Sequence, residues 1–269
     1  MKNQFLFSLT FVFTLLIIRP VSSQTIEMSM VPDSNSTFEI DNMRLLISDQ
    51  DQGIIAGNFN LQYKQALNSK INLIGELTYI KTDDPFAFDD NGFSNIYLGI
   101  QYKTSKSDDV DAALNTGIYL PTASQIIQLG SFTNLFDLSK YVYKSVGVAL
   151  GYNRFKTFDG GLRLGFEVGS DVIIPTSDNG ADVEVLGKYG GSIYYKTSIG
   201  IYLQSELLGL ANITNEDGDF AESTFHTYAF GVGYTGTRLG AGLYYRNYFD
   251  DLFNENFNGI LGIKFSLYL

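Results

Sequence analysis

Apolar and polar residues alternate with a period of two over most of the chain beyond residue 36, and the last eleven residues show the pattern most plainly. Gly259, Leu261, Ile263, Phe265, Leu267 and Leu269 form one row, and Ile260, Gly262, Lys264, Ser266 and Tyr268 the other. Such alternation marks a strand with one face in an apolar medium and the other in a polar one. The apolar row runs to the final residue, where a soluble chain would fray into water. A stretch of about ten residues is also what a tilted strand needs to cross a bilayer.

The same pattern predicts further strands near 37–48, 53–65, 70–80, 93–103, 110–120, 143–154, 161–173, 185–195, 198–211, 223–235 and 238–248, with the last near 258–269. Ile96, Leu98, Ile100 and Tyr102 alternate with Asn95, Tyr97 and Gln101; Val146, Val148, Leu150 and Tyr152 alternate with Ser145, Gly147 and Asn153. Many apolar rows end in tyrosine (Tyr63, Tyr79, Tyr102, Tyr152, Tyr195, Tyr234, Tyr245), as an interfacial girdle requires. Connections alternate between short and long, the longest being 81–92, 121–142, 175–184, 212–222 and 249–257. Both termini then fall on the short-turn side, so the strand number is even, and the weakly patterned stretch 37–48 completes it. The expected fold is all-β: a transmembrane antiparallel up-and-down barrel of about twelve strands, with short periplasmic turns and long outer loops. A soluble β-sandwich would not carry lipid-like rows on nearly every strand.

Composition agrees with this pattern: charged residues make up 17% of the 269 residues, low for a soluble chain, while Tyr, Phe and Gly number 18, 21 and 27. Residues 1–23 read as a signal peptide, with Lys2, a short apolar run over 5–18 and the small-residue site Val21-Ser22-Ser23. Residues 24–36 then form a periplasmic lead-in, and 37–269 the barrel. There is no cysteine, so the fold needs no disulfide and carries no lipid-modified cysteine. A net charge of −11 argues against a nucleic-acid partner.

The inner rows supply the candidate lumen. Glu76, Asp111, Arg163, Glu167, Asp171, Lys188, Glu206, Arg238, Arg246 and Lys264 place both signs of charge there, with Tyr97, Tyr119, Tyr202 and Tyr244 among many glycines. Opposite charges can pair across the bore, or line a route that selects solutes. The tyrosines can pack over the glycines, or form a path for aromatic or apolar solutes. Loop 121–142 is unusually apolar, with Ile126, Ile127, Leu129, Phe132, Leu135, Phe136 and Leu138 at partly helical spacing. Such a loop is expected either to fold into the barrel mouth as a plug or constriction, forming an apolar vestibule with Phe86 and Phe88 of the preceding loop, or to pack on the barrel rim. Acidic runs at 83–84, 89–90, 215–219 and 250–251 match no complete calcium loop, so neither metal nor cofactor is expected. The single histidine, His226, belongs by parity to the lipid-facing row, where it could not serve a lumen nucleophile. No catalytic motif is present, and an enzyme is not expected.

The terminal strand, 259–269, resembles the C-terminal insertion strand of bacterial outer-membrane barrels, although it ends on Leu269 rather than an aromatic residue. Asn115-Thr-Gly-Ile-Tyr-Leu-Pro-Thr122, a strand end before a long loop, resembles outer-membrane transporters of the phenol meta-degradation (MetA-pathway) family; Ala123 departs from the glycine usual there. The resemblance implies uptake of small solutes, aromatic ones among them. The expectation is a monomeric outer-membrane channel passing small solutes passively. Its surroundings would be membrane lipid and lipopolysaccharide, and the barrel-insertion machinery would engage it through the terminal strand. The rivals are a closed structural or surface-binding barrel and, behind it, a barrel hydrolase.

Overall fold

The computed structural model describes residues 35–47, 57–81, 91–105, 107, 109–123, 133–177, 182–214, 224–249 and 257–269. Its strands are β1 (Thr37–Ile47), β2 (Gly57–Ala66), β3 (Ile71–Lys81), β4 (Gly92–Phe93), β5 (Ile96–Lys103), β6 (Val110–Leu120), β7 (Ser145–Thr157), β8 (Leu162–Pro175), β9 (Glu184–Lys196), β10 (Ile201–Asn212), β11 (Thr224–Thr235), β12 (Leu239–Tyr248) and β13 (Phe257–Tyr268). Apart from β4 and β5, successive strands pair antiparallel, and β1 also pairs with β13, so the sheet closes without an edge. The short β4 and the longer β5 both pair with β3 and together form one wall strand, interrupted at Ser94–Asn95. The result is a closed antiparallel up-and-down barrel of twelve wall strands.

The register keeps each residue type on its own side. Along β1, Thr37, Glu39, Asp41, Met43 and Leu45 are buried while Phe38 and Ile40 are exposed, and Glu39 stands opposite Gln62 on one side and Ser266 on the other. Outward residues such as Leu61, Leu98, Leu150, Leu203 and Phe230 form a continuous exposed apolar belt. That belt has no counterpart in a water-soluble barrel, and it is the surface that hydrocarbon requires. Strand direction sorts the outward tyrosines into two rims. Tyr63, Tyr102, Tyr152, Tyr195 and Tyr234 lie toward the short-turn end, whereas Tyr79, Tyr189, Tyr228 and Tyr245 lie toward the long-loop end.

Several boundaries move from the expected ones for local reasons. Strand β7 continues to Thr157, and the turn follows at Phe158–Gly161, where Gly160 and Gly161 take φ of 82° and 89°. That left-handed region suits glycine. Ile199 keeps the apolar alternation, but Gly200 at φ 91° turns the chain there and β10 starts only at Ile201. The expected strand at 93–103 is broken at Ser94–Asn95 by contacts from a distant loop. Residues 1–34, and so the expected signal peptide and most of the lead-in, lie outside the described residues. Ser36, at the end of the lead-in, accepts the backbone N–H of Leu269 at 2.9 Å, so the two ends of the barrel segment meet at the closure seam.

Candidate functional site

The inner face gathers charged side chains from strands far apart in sequence. Glu76 stands on β3, Tyr97 on β5, Asp111 and Tyr119 on β6, Arg163 and Glu167 on β8, Lys188 on β9, Tyr202 and Glu206 on β10, Tyr244 and Arg246 on β12, and Lys264 on β13. Each occupies the inward parity of its strand. Arg238 is the correction: parity carries it inward, but it sits in the turn before β12, exposed, with its carbonyl accepting the Tyr268 N–H. The structure adds inward charges on Glu39, Asp41, Lys64 and Lys103, and two more on the loop itself, Asp137 and Lys140.

The segment 133–142 enters the bore. Its short 3₁₀ stretch, Leu135–Lys140, carries Leu135 and Phe136 into a buried apolar cluster with Met43, Leu45, Leu186, Leu208, Tyr248 and Ile260. Burying those two side chains contributes roughly 3–6 kcal/mol. The expected constriction residues Ile126, Ile127, Leu129 and Phe132 lie outside the described residues, as do Phe86 and Phe88.

Polar anchors hold the segment from many directions. Lys140 forms a buried ion pair with Glu76 and reaches Asp137 at 2.7 Å. Asp137 faces Lys188 at 3.8 Å, and Lys188 pairs with Asp171 at 2.7 Å. Ser139 donates to Asp171 at 3.0 Å. From β12, the fully buried Arg246 donates to the Thr133 carbonyl at 2.9 Å. From β2, Asn58 donates to Thr133 Oγ1 and to Tyr141 Oη.

Asn95 explains the interruption between β4 and β5. Its amide donates to the carbonyls of Ser139 (3.1 Å) and Val142 (2.8 Å) and accepts the Ala123 N–H (2.9 Å), while its own N–H donates to the Lys140 carbonyl (2.8 Å). One residue therefore grips both ends of the inserted loop. Thr122 completes the clasp, accepting the Ile96 N–H at 2.9 Å.

The lumen tyrosines lie against the wall. The Tyr97 ring covers Gly99 and Gly117, Tyr119 covers Gly147, Tyr202 covers Gly233 and Gly242, and Tyr244 covers Gly262; a Cβ at these glycines would collide with the rings. The glycines are thus positions of close approach that let a large ring lie flat. The Tyr244 hydroxyl also donates its one proton to the Asp41 carboxylate, whose two oxygens lie 2.9 and 2.8 Å away. Nearer the short-turn end, Tyr194 and Tyr202 stack with centroids 5.4 Å apart, Arg163 pairs with Asp111 at 3.0 Å and Lys264 pairs with Glu39 at 3.1 Å.

Beneath the inserted segment lies a cavity of about 180 Å³. Its lining includes Glu39, Asp41, Lys64, Glu76, Tyr97, Asn115, Phe136, Lys140, Glu167, Lys188 and Lys264, drawn from both sides of the bore and from the loop. By the measure in which one water fills about 10–15 Å³, it holds about a dozen waters.

His226 faces outward on β11, with its Nε2 2.6 Å from the Tyr189 hydroxyl, also outward. Among the described residues no cluster of three or more His, Cys, Asp or Glu is placed to hold a metal ion.

An apolar exterior, a polar inner wall and a loop seated in the bore define a transmembrane β-barrel with a constricted lumen. Solved structures of that architecture are similar to it. The COG4313 outer membrane channel from Pseudomonas putida F1 aligns with a TM-score of 0.62 at 10% identity, covering 92% of this chain and 100% of that one. The NanC porin aligns at 0.57 and 10% identity, covering 87% and 100%, and the KdgM porin in complex with disordered oligogalacturonate at 0.55 and 6%, covering 86% and 98%. At such identities the likeness is one of fold. No protein-family model and no curated protein matches the sequence.

Proposed function

We propose that this protein is an outer-membrane channel through which small solutes pass passively, with segment 133–142 as its constriction. The observation that carries the reading is the seating of that segment across a polar bore, above a cavity large enough for a small solute. The architecture of the neighbouring channels and porins supports it. The outer membrane is then its location, lipid and lipopolysaccharide bathe the apolar belt, and the terminal strand is the surface offered to the insertion machinery. The barrel wall closes on itself through β1 and β13, and the proposed working unit is a monomer. The phenol meta-degradation resemblance rests on residues 115–122, the end of β6 and the start of the inserted loop; it favours a small organic cargo.

One observation favours a second reading, a closed barrel with a structural or surface-binding role. The apolar cluster around Leu135 and Phe136 seals much of the long-loop end, with Tyr248, Leu186 and Ile260 almost wholly buried. His226, facing outward beside Tyr189, stands apart from the lumen residues on which both of these readings rest. Single-channel conductance in a planar bilayer separates the two main readings, with the full protein compared against a deletion of 124–140. Steady conductance that grows on deletion supports the channel. A folded barrel silent in both forms overturns it in favour of the closed barrel.

A further inference from the structure

The charge around the constriction has a sign. Six carboxylates and four lysines line the cavity. Glu39, Asp41, Glu76 and Asp171 are buried, and so are Lys64, Lys140 and Lys264. The charges left accessible are Glu167 on β8, half-buried, Asp137 on the inserted segment, with 30% of its side chain exposed, and Lys188 on β9, with 15%. A solute in the cavity therefore meets two carboxylates and one lysine, and that lysine is already committed to Asp171 at 2.7 Å. The ion pairs that seat the segment repeat the imbalance, with Glu76, Asp137 and Asp171 against Lys140 and Lys188. Arg246 and Glu206, which share a cross-strand row through Ala229, are wholly buried and opposite in sign.

The sequence carries the same sign outside the bore. The connections 48–56, 82–91, 176–183, 213–223 and 249–256 all leave the long-loop rim, and together they hold fifteen Asp and Glu and no Lys or Arg. The turns at the opposite end balance, with three carboxylates against three cations. Negative charge is thus gathered at the end of the barrel that the segment narrows. Low-dielectric walls focus such a field, which concentrates cations in the passage and depletes anions. Buried carboxylates contribute to it without touching the solute. Toward the short-turn end, Lys103 and Arg163 flank Asp111 at 2.8 and 3.0 Å and leave one positive charge in surplus there. That group lies past the constriction, and charge selects ions where the passage is narrowest.

We infer that the channel selects small cationic solutes over anions, with Glu167 and Asp137 as the carboxylates that a passing cation meets. This deepens the channel reading and rests on it. It narrows a small organic cargo to one that carries positive charge, such as an ammonium group. An anionic solute is repelled by this wall, and a neutral arene gains nothing from its charge.

The test is the reversal potential of the full protein in a planar bilayer under a gradient of potassium chloride, repeated with ethanolammonium chloride. Each cation is expected to permeate about fivefold or more over chloride, with the preference falling as added salt screens the wall. Glu167 stands on the wall outside the ion pairs described above. Glu167→Lys turns the accessible charge from net negative to net positive and is expected to lower the cation-to-chloride ratio about tenfold. Chloride preferred to either cation in the wild-type protein, or no discrimination, overturns the inference without any variant having to fold, and leaves the channel reading in place. An unchanged ratio in a conducting Glu167→Lys overturns it as well. A folded barrel silent in both salts brings down the channel reading, and this inference with it.

Discussion

Replacing Lys140 with methionine tests how firmly the inserted segment is held. Lys140 is almost fully buried, pairs with a Glu76 that is equally so, and also neutralises Asp137 at 2.7 Å. Methionine keeps the volume of the side chain and removes the charge. The substitution leaves the Glu76 carboxylate without this cation in a desolvated site, and leaves Asp137, among the described residues, with the Lys188 cation 3.8 Å away and the Asn134 amide at 3.0 Å. Removing one partner of a buried ion pair costs about 3–5 kcal/mol, chiefly because the other charge is stranded. Pulling the segment out of the bore rehydrates both carboxylates, so most of that cost falls on the seated state. The ratio of seated to unseated segment then drops by a factor of roughly 10²–10³. In a planar bilayer, Lys140→Met should show larger and noisier conductance than wild type, with the barrel still folded by its heat-modifiable gel mobility. Glu76→Gln should do the same, and the double substitution should open the channel less than the two single effects summed, because each removes the other's stranded charge. Unchanged conductance in a folded Lys140→Met would refute the view that this ion pair seats the constriction.

Three other outcomes follow from named contacts. Asn95→Ala removes three side-chain hydrogen bonds from the two ends of the loop, a loss of about 3 kcal/mol at roughly 1 kcal/mol each, and should raise conductance in the same assay; no rise would deny Asn95 its role as a clasp. Gly262→Val places side-chain atoms where the Tyr244 ring lies and should cost about 1–3 kcal/mol in a denaturant titration of the folded barrel, whereas a neutral result would show that the ring moves freely. Leu150→Arg, at the middle of the exposed belt on β7, should cost about 2–4 kcal/mol of stability in lipid, against near zero for a similar change at the short-turn rim. Equal costs at the two sites would argue that the belt does not lie in hydrocarbon.

Much of the wall was legible because hydrocarbon and a wet lumen impose different chemistry on alternate residues. The row Leu261, Ile263, Phe265, Leu267 against Lys264 and Ser266 reads directly as two faces. Strand β1 was readable only through parity, and with it Glu39 and Asp41 were missed, although Thr37, Glu39, Asp41 and Met43 carry the inner alternation. Arg238 was misplaced because parity says nothing about where a turn begins. The clasp at Asn95 was not legible, since its partners lie 28 to 47 residues away and the residue otherwise fits an unbroken strand. For loop 121–142, the apolar spacing announced burial, but Asp137 and Lys140 gained meaning only when folding set them beside Lys188 and Glu76.

The seat of the inserted segment is composite: Asn58 comes from β2, Glu76 from β3, Asp171 and Lys188 from β8 and β9, and Arg246 from β12. No hairpin alone, and no open half of the sheet, contains that set. The docking place for 133–142 therefore does not exist until the last strands have been zipped in, and sealing the wall and narrowing the bore become a single event in biogenesis. A nascent barrel arrested before that point would be a wide, ungated aperture.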